Sequence, residues 1–348
     1  MSAAFSWERT PYGRGAWLVR FADRPGDVAF ERGRAIDHYL ERHAPAGVEW
    51  VVAFTTVLLE IESADVAIDP LLAALSTAAA PPPGPSHEIP VVYDGEDLPA
   101  LAASCGLTPA DVARLHAEPE YRVYALGFSP GFPYLGELDP RLHAPRRATP
   151  RERVPAGSVA IGGEHTGIYP LEGPGGWSLL GRTPSAILDT GKSGEDAFLL
   201  RAGDRVRFVA VGDAPRLPAP APAASSVGAE DAAVEIVAAG IANWIRDAPR
   251  PARFRRFGVP PGGAMNPVAA VRANALVGNP SHAPLLEVLI GGLEIQACRA
   301  IDIAITSRNS HGERRTLARG ERARVRTSRE GLWCYLAIAG GVAAERRF

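Results

Sequence analysis

A chain of 348 residues exceeds one typical hydrophobic core and points to two or three domains. Its 46% hydrophobic and 22% charged residues are the balance of a globular protein, and a formal net charge of -2 gives no global attraction to nucleic acid or an acidic membrane surface. The opening MSAAFSWERTPYGRG lacks the apolar core of a signal peptide, and no run reaches the roughly 20 apolar residues of a membrane span, so a cytoplasmic chain without membrane or nucleic-acid partners is expected.

The pattern begins with a strand over Ala16 to Phe21, an amphipathic helix over Gly26 to His43, and a β-rich apolar run from Val48 to Ile61. A second helix is expected over Ala64 to Ala79, ended by PPPGP at Pro81 to Pro85. Residues 1–85 therefore read as a small α+β domain. A strand from Ile89 to Val92 follows, then helices over Asp97 to Cys105 and Pro109 to Ala117, the latter with Thr108 as N-cap and Pro109 in its first position. Tyr121 to Phe128 reads as a strand.

Between Gly127 and Pro184 glycines, prolines and aromatics gather in GFSPGFPYLG, PAGSVAIGG and GIYPLEGPGGWSLLGRTP. Glycine permits close approach and proline fixes the chain path, so Phe128, Phe132, Tyr134, Tyr169 and Trp177 within such turns describe a rigid concave rim. Around it, strands are expected over Ser158 to Gly162, Trp177 to Leu180, Ser185 to Asp189 and Arg205 to Val211, which suits a closed or nearly closed β-barrel. Leu217 to Ser226, LPAPAPAASS, reads as a semi-rigid linker. Beyond it Val234 to Ala238 opens a further strand.

Gly127-Phe128-Ser129-Pro130-Gly131 satisfies the G-x-S-x-G pattern, but that mechanism needs the N–H after the serine as an oxyanion donor, and Pro130 has none. The stretch reads as a turn. Gly191-Lys192-Ser193 imitates the end of a phosphate-binding loop without the glycine five residues earlier, where Ala186 stands, or a following helix. Lys192 is the chain's single lysine, so any lysine chemistry falls to it. Cys105, Cys298 and Cys334 fit neither zinc nor redox spacing, and no histidine pair has ligand spacing, so no metal is expected.

Anion recognition is left to guanidinium groups near the turns, Arg146, Arg147, Arg151, Arg153 and Arg182, of which Arg147 and Arg153 read as solvated. Ser158 and Tyr169 offer hydroxyls, and Glu164 with His165 offers an acid/base pair in the loop between two strands.

From about Tyr121 to Val211 these blocks resemble the family containing the B subunit of 5-oxoprolinase, the kinase inhibitor KipI and allophanate hydrolase subunit 1, the carboxyltransferase subdomains C and D. RFGVPPGGAMNPVAAVRANALVGN at Arg256 to Asn279 resembles the opening of the 5-oxoprolinase C subunit, the carboxyltransferase subdomains A and B. Asn266 replaces the family's usual aspartate, a QDxGRPG-like pattern keeps Asp247 and Arg250 but loses both its glycines, and the chain stops at GGVAAERRF. That second module is therefore expected to be incomplete and inactive as it stands.

The resemblance implies a cyclophilin-like barrel over residues 86–215 after the α+β domain, a linker over 216–229, and a partial second cyclophilin-like β module over 230–348. It implies a component of an ATP-dependent 5-oxoprolinase that opens 5-oxoproline to glutamate with separate A and C subunits, ATP being used through the complex. Catalytic roles would fall to Arg146, Arg151, Ser158, His165, Tyr169 and Arg182. Substrate contacts would fall to Phe128, Pro130, Gly131, Phe132, Tyr134, Gly175, Gly176 and Trp177. The same relationship leaves open a urea carboxylase-type carboxyltransferase using biotin from another chain, an allophanate hydrolase subunit, or a KipI-like inhibitor of histidine kinases.

Overall fold

The computed structural model describes residues 7–13, 15–62, 65–217, 232–307, 311–327 and 332–343. It divides into two compact units: residues 1–220 with 252–260, and residues 221–251 with 261–348. Most of the expected linker, 218–229, lies outside the described residues.

The first unit opens with a four-stranded antiparallel sheet in the order β1-β2-β4-β3, from β1 (Glu8–Pro11), β2 (Ala16–Arg20), β3 (Val48–Ala53) and β4 (Thr56–Ile61). The run expected as one β-rich stretch is a hairpin. Its two-residue tip is Phe54-Thr55, with Phe54 at φ 50°. Across the sheet lie α1 (Asp27–His43) and α2 (Ile68–Ser76), whose Ile36, Leu40, Leu71, Leu72 and Leu75 meet Val19, Phe21, Val57 and Leu59 in one core. Helix α2 is shorter than its sequence suggested, and Pro70 sits in the first turn, where a missing N–H costs nothing.

Three elements then lead into the larger sheet: β5 (Ser86–Val91), α3 (Leu98–Ser104) and α4 (Pro109–Ala117). Helix α4 starts with a reciprocal capping box, in which the Thr108 hydroxyl accepts from the Asp111 N–H and the Asp111 carboxylate from the Thr108 N–H. The remaining strands are β6 (Glu120–Leu126), β7 (Pro133–Gly136), β8 (Arg151–Val154), β9 (Ser158–Gly162), β10 (His165–Ile168), β11 (Gly173–Gly175), β12 (Ser178–Arg182) and β13 (Arg205–Ala210). Seven form one sheet, β12-β9-β10-β7-β6-β13-β5, in which only the β13–β5 pair is parallel.

The sheet curls until its two edges meet at an isolated bridge, where Val92 and Arg182 exchange both backbone hydrogen bonds at 2.9 Å. Strands β8 and β11 form a separate two-stranded ribbon. Ser185 to Asp189, expected as a strand, contributes only a bridge between Leu188 and Phe198. The chain there turns through Lys192 N–H to Asp189 C=O, at 3.1 Å, before it can extend.

The second unit carries a three-stranded sheet, β14-β17-β20, and a five-stranded sheet, β15-β16-β21-β18-β19. These are β14 (Val234–Ala239), β15 (Ala242–Arg246), β16 (Leu285–Ile290), β17 (Leu293–Ala297), β18 (Ile301–Ser307), β19 (Glu313–Leu317), β20 (Arg322–Val325) and β21 (Cys334–Ile338). Asn266, standing where an aspartate was anticipated, caps α5 (Pro267–Leu276) by accepting from the Ala269 N–H at 3.1 Å. Beside it the fully buried Glu287 accepts from Arg246, the Met265 N–H and the Tyr335 hydroxyl, which is the full pairing a buried carboxylate requires. Residues 252–260 pack with the first unit, where Phe257 stacks on Phe198 at 4.5 Å.

Candidate functional site

The turn after β6 is strained in a directed way. Phe128 adopts φ 68°, a region that costs a bulky residue roughly 1–2 kcal/mol, and its ring is 63% exposed. The hydrogen bond from the Phe132 N–H to the Ser129 carbonyl at 3.0 Å closes this turn, no helix follows it, and the G-x-S-x-G stretch therefore has no nucleophile elbow. The turn projects Phe128 over Phe132, with ring centroids 5.5 Å apart. Phe132 meets Tyr134 at 5.3 Å, Tyr169 at 5.2 Å and Trp177 at 5.2 Å, all edge to face, the arrangement aromatic quadrupoles favour.

These rings line a cavity of about 300 Å³, at the small end of the range for small-molecule pockets. Two glycines make it possible. A Cβ on Gly162 would meet the indole of Trp177 at 2.7 Å, and one on Gly175 would lie 2.2 Å from the Tyr169 hydroxyl. Only bare backbone lets the Trp177 ring lie against β9 and the β11 turn close over Tyr169.

At the mouth stands Arg146, exposed, with its guanidinium 5.9 Å from the Trp177 ring centroid and no carboxylate partner among the described residues. Its charge acts inward. Burial raises the Tyr134 and Tyr169 hydroxyls above their ordinary pKa; Arg146 opposes that shift in both, and the Trp177 backbone N–H also opposes it in Tyr169. Both hydroxyls remain protonated donors at neutral pH. The cavity thus joins a flat apolar interior to one uncommitted cation and two phenol donors, a combination that holds a small, flat, anionic molecule by its edge and face.

Arg147, read as solvated, is exposed and also edges the cavity. It donates to Asp97 at 3.0 Å, and its backbone N–H donates to the Gly176 carbonyl at 2.7 Å. Asp97 also accepts from Arg151 and from the Leu179 N–H, each at 2.8 Å. Burial pushes the Asp97 carboxyl up, but the Arg151 hydrogen bond, the Leu179 amide and the Arg147 charge together hold it below the usual carboxylate value. Asp97 clamps the cavity floor to β12, a role no local signal disclosed. Pro150 and Pro174 complete the lining.

Of the residues singled out from sequence, Phe128, Phe132, Tyr134, Arg146, Tyr169, Gly175, Gly176 and Trp177 line this cavity together. The other six lie outside it. Arg151 sits behind the wall, paired through Nε to Glu96 at 2.6 Å and through Nη2 to Asp97 at 2.8 Å, while its buried Nη1 has no acceptor among the described residues. Ser158 is buried and spends its hydroxyl on the Pro155 carbonyl at 2.8 Å. Arg182 belongs to the seam of the curled sheet, donating to Asp94 at 2.9 Å and to the Ala214 carbonyl.

Pro130 and Gly131 face away. A Cβ on Gly131 would meet Phe198, and its amide donates to the Phe257 carbonyl at 2.8 Å. His165, expected in a loop, begins β10 and packs its ring on Phe54 at 5.2 Å. Burial holds its pKa below the ordinary value, and Glu164 beside it is exposed. Gly191-Lys192-Ser193 forms a turn in which Lys192 lies 3.5 Å from Asp189, with a single 3-10 turn after it. Among the described residues no three metal-ligating side chains converge.

Comparison with known proteins gives consistent likenesses. Residues 7–200 match the carboxyltransferase domain, subdomain C and D, and residues 257–348 match the carboxyltransferase domain, subdomain A and B. Over 125 residues the chain is 56% identical to the B subunit of 5-oxoprolinase from Escherichia coli O157:H7, a span that is 35% of this chain and 56% of that protein. Over 119 residues it is 30% identical to the C subunit of 5-oxoprolinase from Escherichia coli K12, covering 31% of this chain and 38% of that one. The chain thus spans little more than half the length of the first of these relatives. The crystal structure of TTHA0988 superposes with a TM-score of 0.78 at 36% identity, covering 94% of this chain and 68% of that one.

Proposed function

The chain belongs to the family of the carboxyltransferase domain, subdomain C and D, and on that premise we propose that it is a component of an ATP-dependent 5-oxoprolinase. The observation that carries the reading is the uncommitted Arg146 above the Trp177 ring in an aromatic cavity of about 300 Å³. A five-membered lactam bearing a carboxylate suits it: the carboxylate pairs with the guanidinium, the ring lies among Phe132, Tyr169 and Trp177, and the lactam carbonyl accepts from a phenol. We further assign the curled sheet of the first unit to a cyclophilin-like barrel, and the second unit to the partial module resembling the 5-oxoprolinase C subunit.

The lining residues bind and orient, and none is a nucleophile. Ring opening by water therefore needs activation of the lactam carbonyl with ATP by another chain, for which the A and C subunits of 5-oxoprolinase are the proposed partners. The cavity would then be the lactam-holding half of a shared site. A reconstituted mixture of this chain with the A and C subunits tests the proposal: 5-oxoproline-dependent ATP hydrolysis should appear with all three present and disappear when this chain is left out. Full activity without this chain would reject it.

A further inference from the structure

Residues 252–260 lie in the chain between two stretches of the second unit, yet they pack with the first. The match to subdomains A and B begins at residue 257, so Phe257 and Gly258 belong by sequence to one module and by packing to the other. This strap is firmly seated. It opens with a 3-10 turn, Ala252–Arg256, and buries Phe254, Phe257 and Val259. Its arginines reach carboxylates on three separate elements: Arg255 pairs with Glu60 of β4, and Arg256 with Glu41 of α1 at 2.6 Å and with Glu195 of the 3-10 turn Gly194–Ala197 at 3.2 Å.

What the strap touches is the turn that carries Phe128. Phe257 forms a parallel bridge with Leu126, the last residue of β6, and its carbonyl accepts from the Gly131 N–H at 2.8 Å. Gly258 fills the space between. It adopts φ 74°, and a Cβ there would lie 2.8 Å from the Ser129 carbonyl oxygen and 2.9 Å from the Gly127 Cα. Those two residues flank Phe128, so the absence of a side chain is what lets the strap backbone sit directly behind it. Phe128 needs such a backing. A bulky residue at φ 68° persists only where its surroundings over-determine it, and its largely exposed ring meets Phe132 and Tyr169 edge to face across the cavity.

We propose that Phe257 and Gly258 are positioning residues for the Arg146 cavity, holding the Gly127–Gly131 turn from behind so that Phe128 closes over a bound ligand. Loss of the seat lets the Phe128 backbone relax out of the left-handed region, and the ring leaves the cavity lining. Binding in the first unit then depends on a segment that opens the A/B match. The choice of 5-oxoproline as the ligand rests on the proposed function; the hold of the strap on the turn does not.

Gly258→Ala in the full chain tests this with two readouts. By hydrogen exchange and mass spectrometry, the peptide spanning residues 127–132 should exchange at least about tenfold faster, as release of a strained turn implies, while β9 and β10 keep their protection. Affinity for 5-oxoproline, by isothermal titration, should fall by a similar factor. Phe257→Ala, which removes the stack on Phe198 without adding a clash, should move both readouts in the same direction. His116→Leu, which destabilises the fold without touching the turn, should move neither in the folded chain. Unchanged exchange of the 127–132 peptide in both strap variants would overturn the proposal, as would a loosened turn with unchanged affinity or an equal loosening in His116→Leu. A wild-type chain that binds no 5-oxoproline would remove the ligand assignment alone, and the exchange result would then decide the role of the strap.

Discussion

His116 and Trp177 each anchor an aromatic cluster against the seven-stranded sheet, and the two clusters use similar residue types to opposite ends. Around His116 every polar atom is engaged. The Tyr93 hydroxyl bonds to Nδ1 at 2.7 Å and Nε2 bonds to the Thr166 hydroxyl at 2.7 Å, while Thr166 donates on to the Ala160 carbonyl at 3.1 Å. Phe208 stacks on the imidazole at 4.5 Å, and the histidine is fully buried. Around Trp177 the rings pack as tightly, but the cluster opens to a cavity and its cation has no carboxylate among the described residues. Unspent donors beside an accessible space, more than composition, separate a site from a core.

The largest way to break this comparison is His116→Leu. It strips the Tyr93 hydroxyl of its partner and the Phe208 ring of its stack, and should cost about 2–4 kcal/mol in urea unfolding, while any loss of activity should track only the unfolded fraction. Gly175→Ala should cost about 1–3 kcal/mol through its clash with the Tyr169 hydroxyl, and it should also weaken 5-oxoproline binding by isothermal titration, because Tyr169 is displaced from the cavity wall.

A smaller, graded effect comes from pH. Burial lowers the His116 pKa to about 3, beneath the ordinary value near 6.5, so the unfolded chain takes up a proton that the folded one refuses. Stability should be flat above that ordinary value and fall by roughly 1 kcal/mol per pH unit below it, down to the folded pKa. His116→Leu should remove most of that slope. Asp97, held low by Arg151, the Leu179 amide and Arg147 against its burial, adds a further loss only as pH falls through and below the ordinary carboxylate range. Urea midpoints of both chains across acid and neutral buffers would separate the two.

How far the sequence carried these distinctions depended on whether the cause was local. The φ of 68° at Phe128 leaves no residue-type trace in the chain. The rim was legible because the glycine under the Trp177 indole and the glycine under Tyr169 do leave one. The capping box of α4 was legible for the same reason. Guanidinium roles were not, since Arg146, Arg151 and Arg182 look alike until the fold brings Asp97 to one and Asp94 to another. The β3–β4 hairpin was missed because its tip, Phe54-Thr55, carries neither glycine nor asparagine and is held by packing on Tyr124, Tyr134 and His165. The His116 network was silent for a like reason, as its partners arrive from three separate stretches of chain.

The most direct test compares two arginines in one assay. In the reconstituted complex, Arg146→Ala should reduce 5-oxoproline-dependent ATP hydrolysis about tenfold to a hundredfold, the equivalent of one charged hydrogen bond, with stability changed by no more than about 0.5 kcal/mol. Arg182→Ala, which removes a clip at the sheet seam, should lower stability by about 1 kcal/mol and leave the rate of folded complex unchanged. The reverse outcome, a rate that survives loss of Arg146 and collapses with Arg182 in a folded chain, would contradict the assignment of the site.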